Sequence, residues 1–219
     1  MSRWQAEKQL LLEAARQLPG KGLVAGTAGN ISLRLPAEAG RELLAITPSA
    51  RYYASLTVDD IQVIDFQVQP VEGDLPPSIE ARLHIGIYHA RPAAGAVVHT
   101  HSVHASALAV AGRGIPAILE DQAAFLGGDI RLAGGASAGS PEEVAQIVAA
   151  LADRSAAILP NHGAVALGRD LREAVTAAEI TERTAQSYLL ALGTGNVNPL
   201  PAATLQMCRA VYTGLQGEG

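Results

Sequence analysis

The sequence predicts an α/β protein with one sheet that has antiparallel parts and helices over its faces. Short β-rich runs at 31–35, 42–46, 61–71, 95–98, 156–159 and 165–168 mix with helical patterns. They lack the strict strand–helix alternation of a parallel sheet. The 219 residues, 48% of them apolar, suit one domain with a sizeable core. No composition shift, repeat or linker marks a boundary within residues 1–219.

In chain order, Leu10, Leu11, Ala14 and Leu18 form an apolar helical stripe over 2–18, stopped by Pro19-Gly20. The small-residue loop from Ala25 to Asn30 reads either as a tight turn or as backbone free to approach an anion. Alternation in Ile31-Ser32-Leu33-Arg34-Leu35 predicts a strand with one polar face. Glu42 to Ile46 is a strand that runs into the hydroxyl-bearing turn Thr47-Pro48-Ser49-Ala50. Thr57 is expected to cap a short turn through the solvated Asp59 and Asp60, before a strand pair over 61–71. Ser78 is the expected N-cap of a helix with Glu80 in its first turn and Ile79, Leu83 and Ile87 on its apolar face. His84 and His89 on that helix read as structural or capping residues.

After the strand at 95–98, a helix is expected through Ala111, with His104 at its start in a supporting or solvent-facing role. Ile115 to Leu119 reads as extended, Glu120 and Asp121 as adjacent carboxylates, and 125–128 as a turn. Ser140-Pro141-Glu142-Glu143 has the cap, N1 proline and acidic first turn of a helix running to Leu151. A long helix over 171–192 ends at Gly193 and Gly195, and a last one covers 202–215.

Several function classes are disfavoured. No apolar run is long enough to span a bilayer, and no basic-then-apolar leader opens the chain. A net charge of −5 without a basic cluster argues against a nucleic-acid partner. The single cysteine, Cys208, cannot form an internal disulfide and reads as a packing residue, so a cytoplasmic location is expected.

The chemistry gathers on histidines. The run Gly95 to Val98 leads into His99-Thr100-His101, and strand alternation points both imidazoles the same way. A second apolar run, Ala156 to Leu159, leads into Asn161-His162-Gly163. Three histidines with an open fourth position make a catalytic-type zinc site. Imidazole also suits other divalent transition metals.

The ordered motifs around Thr27-Ala28-Gly29-Asn30, Thr47-Pro48-Ser49, Ser78-Ile79-Glu80 with His84, His99-Thr100-His101-Ser102 and Asn161-His162-Gly163 resemble those of the class II aldolase/adducin superfamily. The resemblance runs from about residue 5 to residue 192 and is greatest to the L-fuculose-1-phosphate aldolase-like branch. It implies a three-layer α/β/α sandwich around a mainly antiparallel sheet, and a homotetramer with active sites at subunit interfaces. It implies that His99, His101 and His162 bind zinc and that Glu80 is the acid/base carboxylate. Gly29 and Asn30 would form a phosphate loop, with Thr27, Ser49 and Ser78 as further phosphate contacts.

The implied reaction is zinc-dependent cleavage of a ketose 1-phosphate to dihydroxyacetone phosphate and an aldehyde. Tyr212 is the candidate for a neighbour's proton donor to the aldehyde oxygen, by its nearness to the C-terminus. Three positions depart from the family pattern. Ala50 and Ile79 stand where a glycine and a serine are expected, and Glu120 stands near the place of a missing tyrosine. Glu120 keeps open a methylthioribulose-1-phosphate dehydratase-like alternative, beside an epimerase or decarboxylase and a non-catalytic adducin-like module.

Overall fold

The computed structural model describes residues 3–137 and 139–217. Its elements are α1 (Gln5–Gln17), β1 (Asn30–Glu38), β2 (Arg41–Ile46), β3 (Gln62–Asp65), β4 (Pro70–Glu72), α2 (Ala81–Ala90), β5 (Ala96–Thr100) and α3 (Val103–Val110), followed by α4 (Glu120–Leu126), β6 (Arg131–Leu132), α5 (Pro141–Leu151), β7 (Ala156–Leu159), β8 (Gly163–Gly168), α6 (Leu171–Gly193) and α7 (Ala202–Gly217). The strands form one sheet in the order β4-β3-β2-β1-β5-β8-β7-β6. Every neighbouring pair is antiparallel except β6 and β7.

Strand alternation splits the interior into two cores, one on each face. Ile31, Leu43, Val63, Val98 and Ile158 point to the face covered by α1, α3, α4 and α6. Leu44, Ile64, Val97, Leu159 and Val165 point to the face covered by α2 and α5. The result is the three-layer α/β/α sandwich around a mainly antiparallel sheet that the resemblance implied. Burial of each large apolar side chain contributes about 1.5–3 kcal/mol, and Leu11, Ile31, Leu43 and Ile61 are all fully covered. Among the described residues no helix is long and apolar enough to cross a membrane.

Most element boundaries follow the sequence signals. Ser140 accepts from the Glu143 backbone N–H at 3.1 Å, with Pro141 opening α5. Thr57 and Asp60 form a reciprocal cap over the short 3-10 turn Val58–Asp60. Three expectations need correction. Ser78 is not the N-cap of α2; Glu80 holds that position, and Ile79 is 85% exposed instead of joining the apolar face. The segment 120–126, read as adjacent carboxylates leading to a turn at 125–128, is the helix α4. Its start is fixed by the Gln122 side chain, which accepts from the backbone of Ile118 and Leu119, and its end by Gly127 at φ 89°. In the segment read as extended, 115–119, Ile115 alone makes a bridge, to Ile130.

Candidate metal centre and substrate cavity

The site lies at one edge of the three central strands. Asn30 opens β1 and pairs directly with His99 on β5. Thr100, next along β5, pairs with Ala164 on β8, and His162 immediately precedes β8. The turn before β8 is tight because Asn161 adopts a left-handed φ of 54°. His99, His101 and His162 therefore converge from two strand ends, with ligand atoms all within 4.8 Å of one another. The His99 and His101 Nε2 atoms are 2.9 Å apart.

Protonation suits metal binding. His99 Nδ1–H donates to the Ala164 carbonyl at 3.1 Å, which leaves the Nε2 lone pair facing its neighbours. Burial first, then the nearby His162 and His101, push the His99 pKa well down. Burial and His162 also lower that of His101, against the raising influence of Glu80. Both rings are thus held neutral, the form that ligates. The donor set of three imidazoles fits zinc and related divalent metals.

Glu80 closes the group from the start of α2. Its Oε2 is 3.3 Å from His99 Nε2, and its Oε1 is 3.5 Å from His162 Nε2. Asn30 Nδ2 donates to Glu80 Oε2 at 2.6 Å. The Glu80 backbone N–H donates to Ser78 Oγ at 3.2 Å, so the serine expected as a cap positions the carboxylate's own residue.

A cavity of about 520 Å³ opens onto this group. Thr27, Gly29, Asn30, Ser49 and Ser78 line it together with Glu80, His101 and His162. Two hydroxyl-bearing turns meet there because Ser49 N–H donates to Pro76 O at 3.0 Å and Ser78 N–H to Thr47 O at 3.1 Å. Gly29 has φ 73°, and a β-carbon on it would lie 2.7 Å from the His99 carbonyl oxygen, so the loop admits no side chain there. Ala50, where the resemblance expects glycine, keeps a left-handed φ of 54°.

Two sequence candidates are not brought to the cavity. Glu120 is exposed at the start of α4 and is absent from the cavity lining. Tyr212 is buried, and its hydroxyl is 2.9 Å from Ser155 Oγ, where it docks α7. Sequence reading missed Glu182 on α6. It accepts the backbone N–H groups of His104 and Ala105 at 2.9 Å each and His104 Nδ1 at 2.7 Å. That anchors the start of α3 directly behind His101. Glu182 sits in a long helical pattern and gave no local signal.

A sequence profile described as Class II Aldolase and Adducin N-terminal domain matches residues 9–189. The chain is 40% identical over 196 residues to the 5-methylthioribulose-1-phosphate/5-deoxyribulose-1-phosphate aldolase of Rhodospirillum rubrum, spanning 90% of this chain and 86% of the relative. It is 37% identical over 191 residues to the L-fuculose phosphate aldolase of Escherichia coli K12, spanning 87% and 85%. A solved L-fuculose 1-phosphate aldolase superposes with a TM-score of 0.87 at 31% identity, over 94% of this chain and 95% of that one. The chain belongs to the class II aldolase and adducin N-terminal domain family and is a lyase of its aldolase type.

Proposed function

We propose that the protein cleaves a ketose 1-phosphate with a deoxy end to dihydroxyacetone phosphate and an aldehyde, using zinc held by His99, His101 and His162. The observation that carries this reading is the Glu80 carboxylate poised 3.3–3.5 Å from two of three converging imidazoles. Relatives named for 5-methylthioribulose, 5-deoxyribulose and fuculose phosphates support the substrate class, since each of those sugars ends in a carbon without hydroxyl.

In cleavage, the C4 hydroxyl passes its proton to a base supplied by the neighbouring subunit and the C3–C4 bond breaks, releasing the aldehyde. The electron pair passes to C3 and the C2 oxygen, and C3 then takes a proton. The bound cation supplies Lewis-acid stabilisation of the developing negative charge. Glu80 carries the proton delivered to C3, or removed from it in synthesis. Asn30 holds the carboxylate oxygen in place. The hydroxyls of Thr27, Ser49 and Ser78 and the open backbone at Gly29 receive the phosphate.

The same reading extends to a single catalytic domain over the whole chain, in the cytoplasm, working as a homotetramer with neighbours completing each site. Exposed apolar Ile79 and Val103, next to Glu80 and close behind His101, suit such a covered interface.

The test is a retro-aldol assay on zinc-loaded protein with deoxyketose 1-phosphates, coupled to detection of dihydroxyacetone phosphate. Product that vanishes with a chelator and returns with zinc supports the reading. Absence of product with zinc bound overturns it in favour of a dehydratase-like reaction.

A further inference from the structure

Asn30 and Ser32, which alternate away from the apolar face of β1, are polar yet sealed beneath α2. Asn30 is 4% exposed, and Ser32 and His84 are fully buried. They form a continuous chain that ends at the carboxylate. Asn30 Nδ2 bonds Glu80 at 2.6 Å, and Asn30 Oδ1 lies 2.5 Å from His84 Nε2. His84 Nδ1 lies 2.6 Å from Ser32 Oγ, which lies 2.7 Å from the Tyr88 hydroxyl.

The Asn30 amide dictates the polarity of the whole chain. Its Nδ2 can only donate, to Glu80 Oε2, and its Oδ1 can only accept, from His84. His84 must then donate from Nε2–H and accept at Nδ1. Ser32 donates to that nitrogen and accepts from Tyr88. Burial supports a neutral ring, pushing the His84 pKa down to about 3. The Tyr88 hydroxyl is buried against Ser32 Oγ and donates to it.

We propose that His84 is a positioning residue: as the neutral Nε2–H tautomer, backed by Ser32 and Tyr88, it locks the Asn30 amide so that a donor always faces Glu80. Without it the amide can rotate and turn its oxygen toward the carboxylate. This inference rests on the proton-carrying role proposed for Glu80.

The test has two arms. In unaltered, metal-free protein labelled with ¹⁵N-histidine, the ring signals of His84 should report a neutral ring protonated at Nε2 throughout the folded pH range. In the second arm, His84→Leu should retain metal affinity while kcat falls about 10- to 100-fold, the range for partners that orient site residues. KM should change little. His84→Gln restores an N–H donor toward Asn30 and should recover most of the lost kcat. An Nδ1–H tautomer, a cationic ring, or an unchanged kcat in His84→Leu overturns the proposal. If that variant does not fold, the tautomer decides alone. The tautomer is read without turnover, so its failure is distinct from a failure of the aldolase reading.

Discussion

Gly163 faces Thr100 across β8 and β5 so closely that a β-carbon on the glycine would lie 2.1 Å from the Thr100 carbonyl oxygen. The glycine that follows His162 is therefore what lets two histidine-bearing strand ends meet. Backbone cannot yield as a flexible side chain can. Gly163→Ala should displace His162 and weaken zinc affinity by about tenfold or more. Competition with a chromophoric chelator reads this directly; unchanged affinity would show that the strands can part at no loss to the site.

The three histidines differ in burial, and so should their variants. His99 is fully buried, whereas His101 is partly exposed. His101→Ala should abolish metal binding and activity and leave the melting temperature of the metal-free protein nearly unchanged. His99→Ala should remove the metal and also destabilise the fold, by roughly 1–3 kcal/mol for the lost packing and the lost hydrogen bond to the Ala164 carbonyl.

Glu80→Gln keeps the shape of the side chain and removes its proton-carrying capacity. It should hold metal normally while turnover drops by about 10²- to 10⁴-fold. A rate equal to that of the unaltered protein would take Glu80 out of the mechanism.

Burial of His84 ties stability to pH. Its folded pKa is held near 3, below the ordinary 6.5, so the unfolded chain binds a proton that the folded chain refuses. The neutral ring's contribution is complete above about pH 6.5 and declines as pH falls toward 3, by about 1.4 kcal/mol per pH unit. Denaturant unfolding of metal-free protein at several pH values should show at least this slope, since His99 and His101 are also held neutral, and in His84→Gln it should be shallower by about 1.4 kcal/mol per pH unit.

The metal centre and the cavity were legible because strand alternation and strand-end turns are local signals. His99 and His101 share a face whatever their partner, and Asn161-His162-Gly163 marks a tight turn. The positioning chain behind Glu80 was hidden by the same rule. The alternation of Ser32 and Arg34 with apolar neighbours reads only as a polar face, and only the fold shows that α2 covers Ser32 and that His84 and Tyr88 answer it. Helix α4 was missed because its seven residues are fixed by the Gln122 side chain and by Gly127, not by periodicity. Tyr212 was placed by chain position alone, and its hydroxyl belongs to Ser155.

The central claim is that Glu80 moves a proton at the carbon beside the carbonyl when the three histidines hold a metal. Incubating zinc-loaded protein with dihydroxyacetone phosphate in D₂O tests it without any aldehyde. NMR should show one deuterium entering the C3 hydroxymethyl group, with the exchange lost on chelation and in Glu80→Gln. Undiminished exchange in Glu80→Gln, or none with zinc bound, would contradict the account.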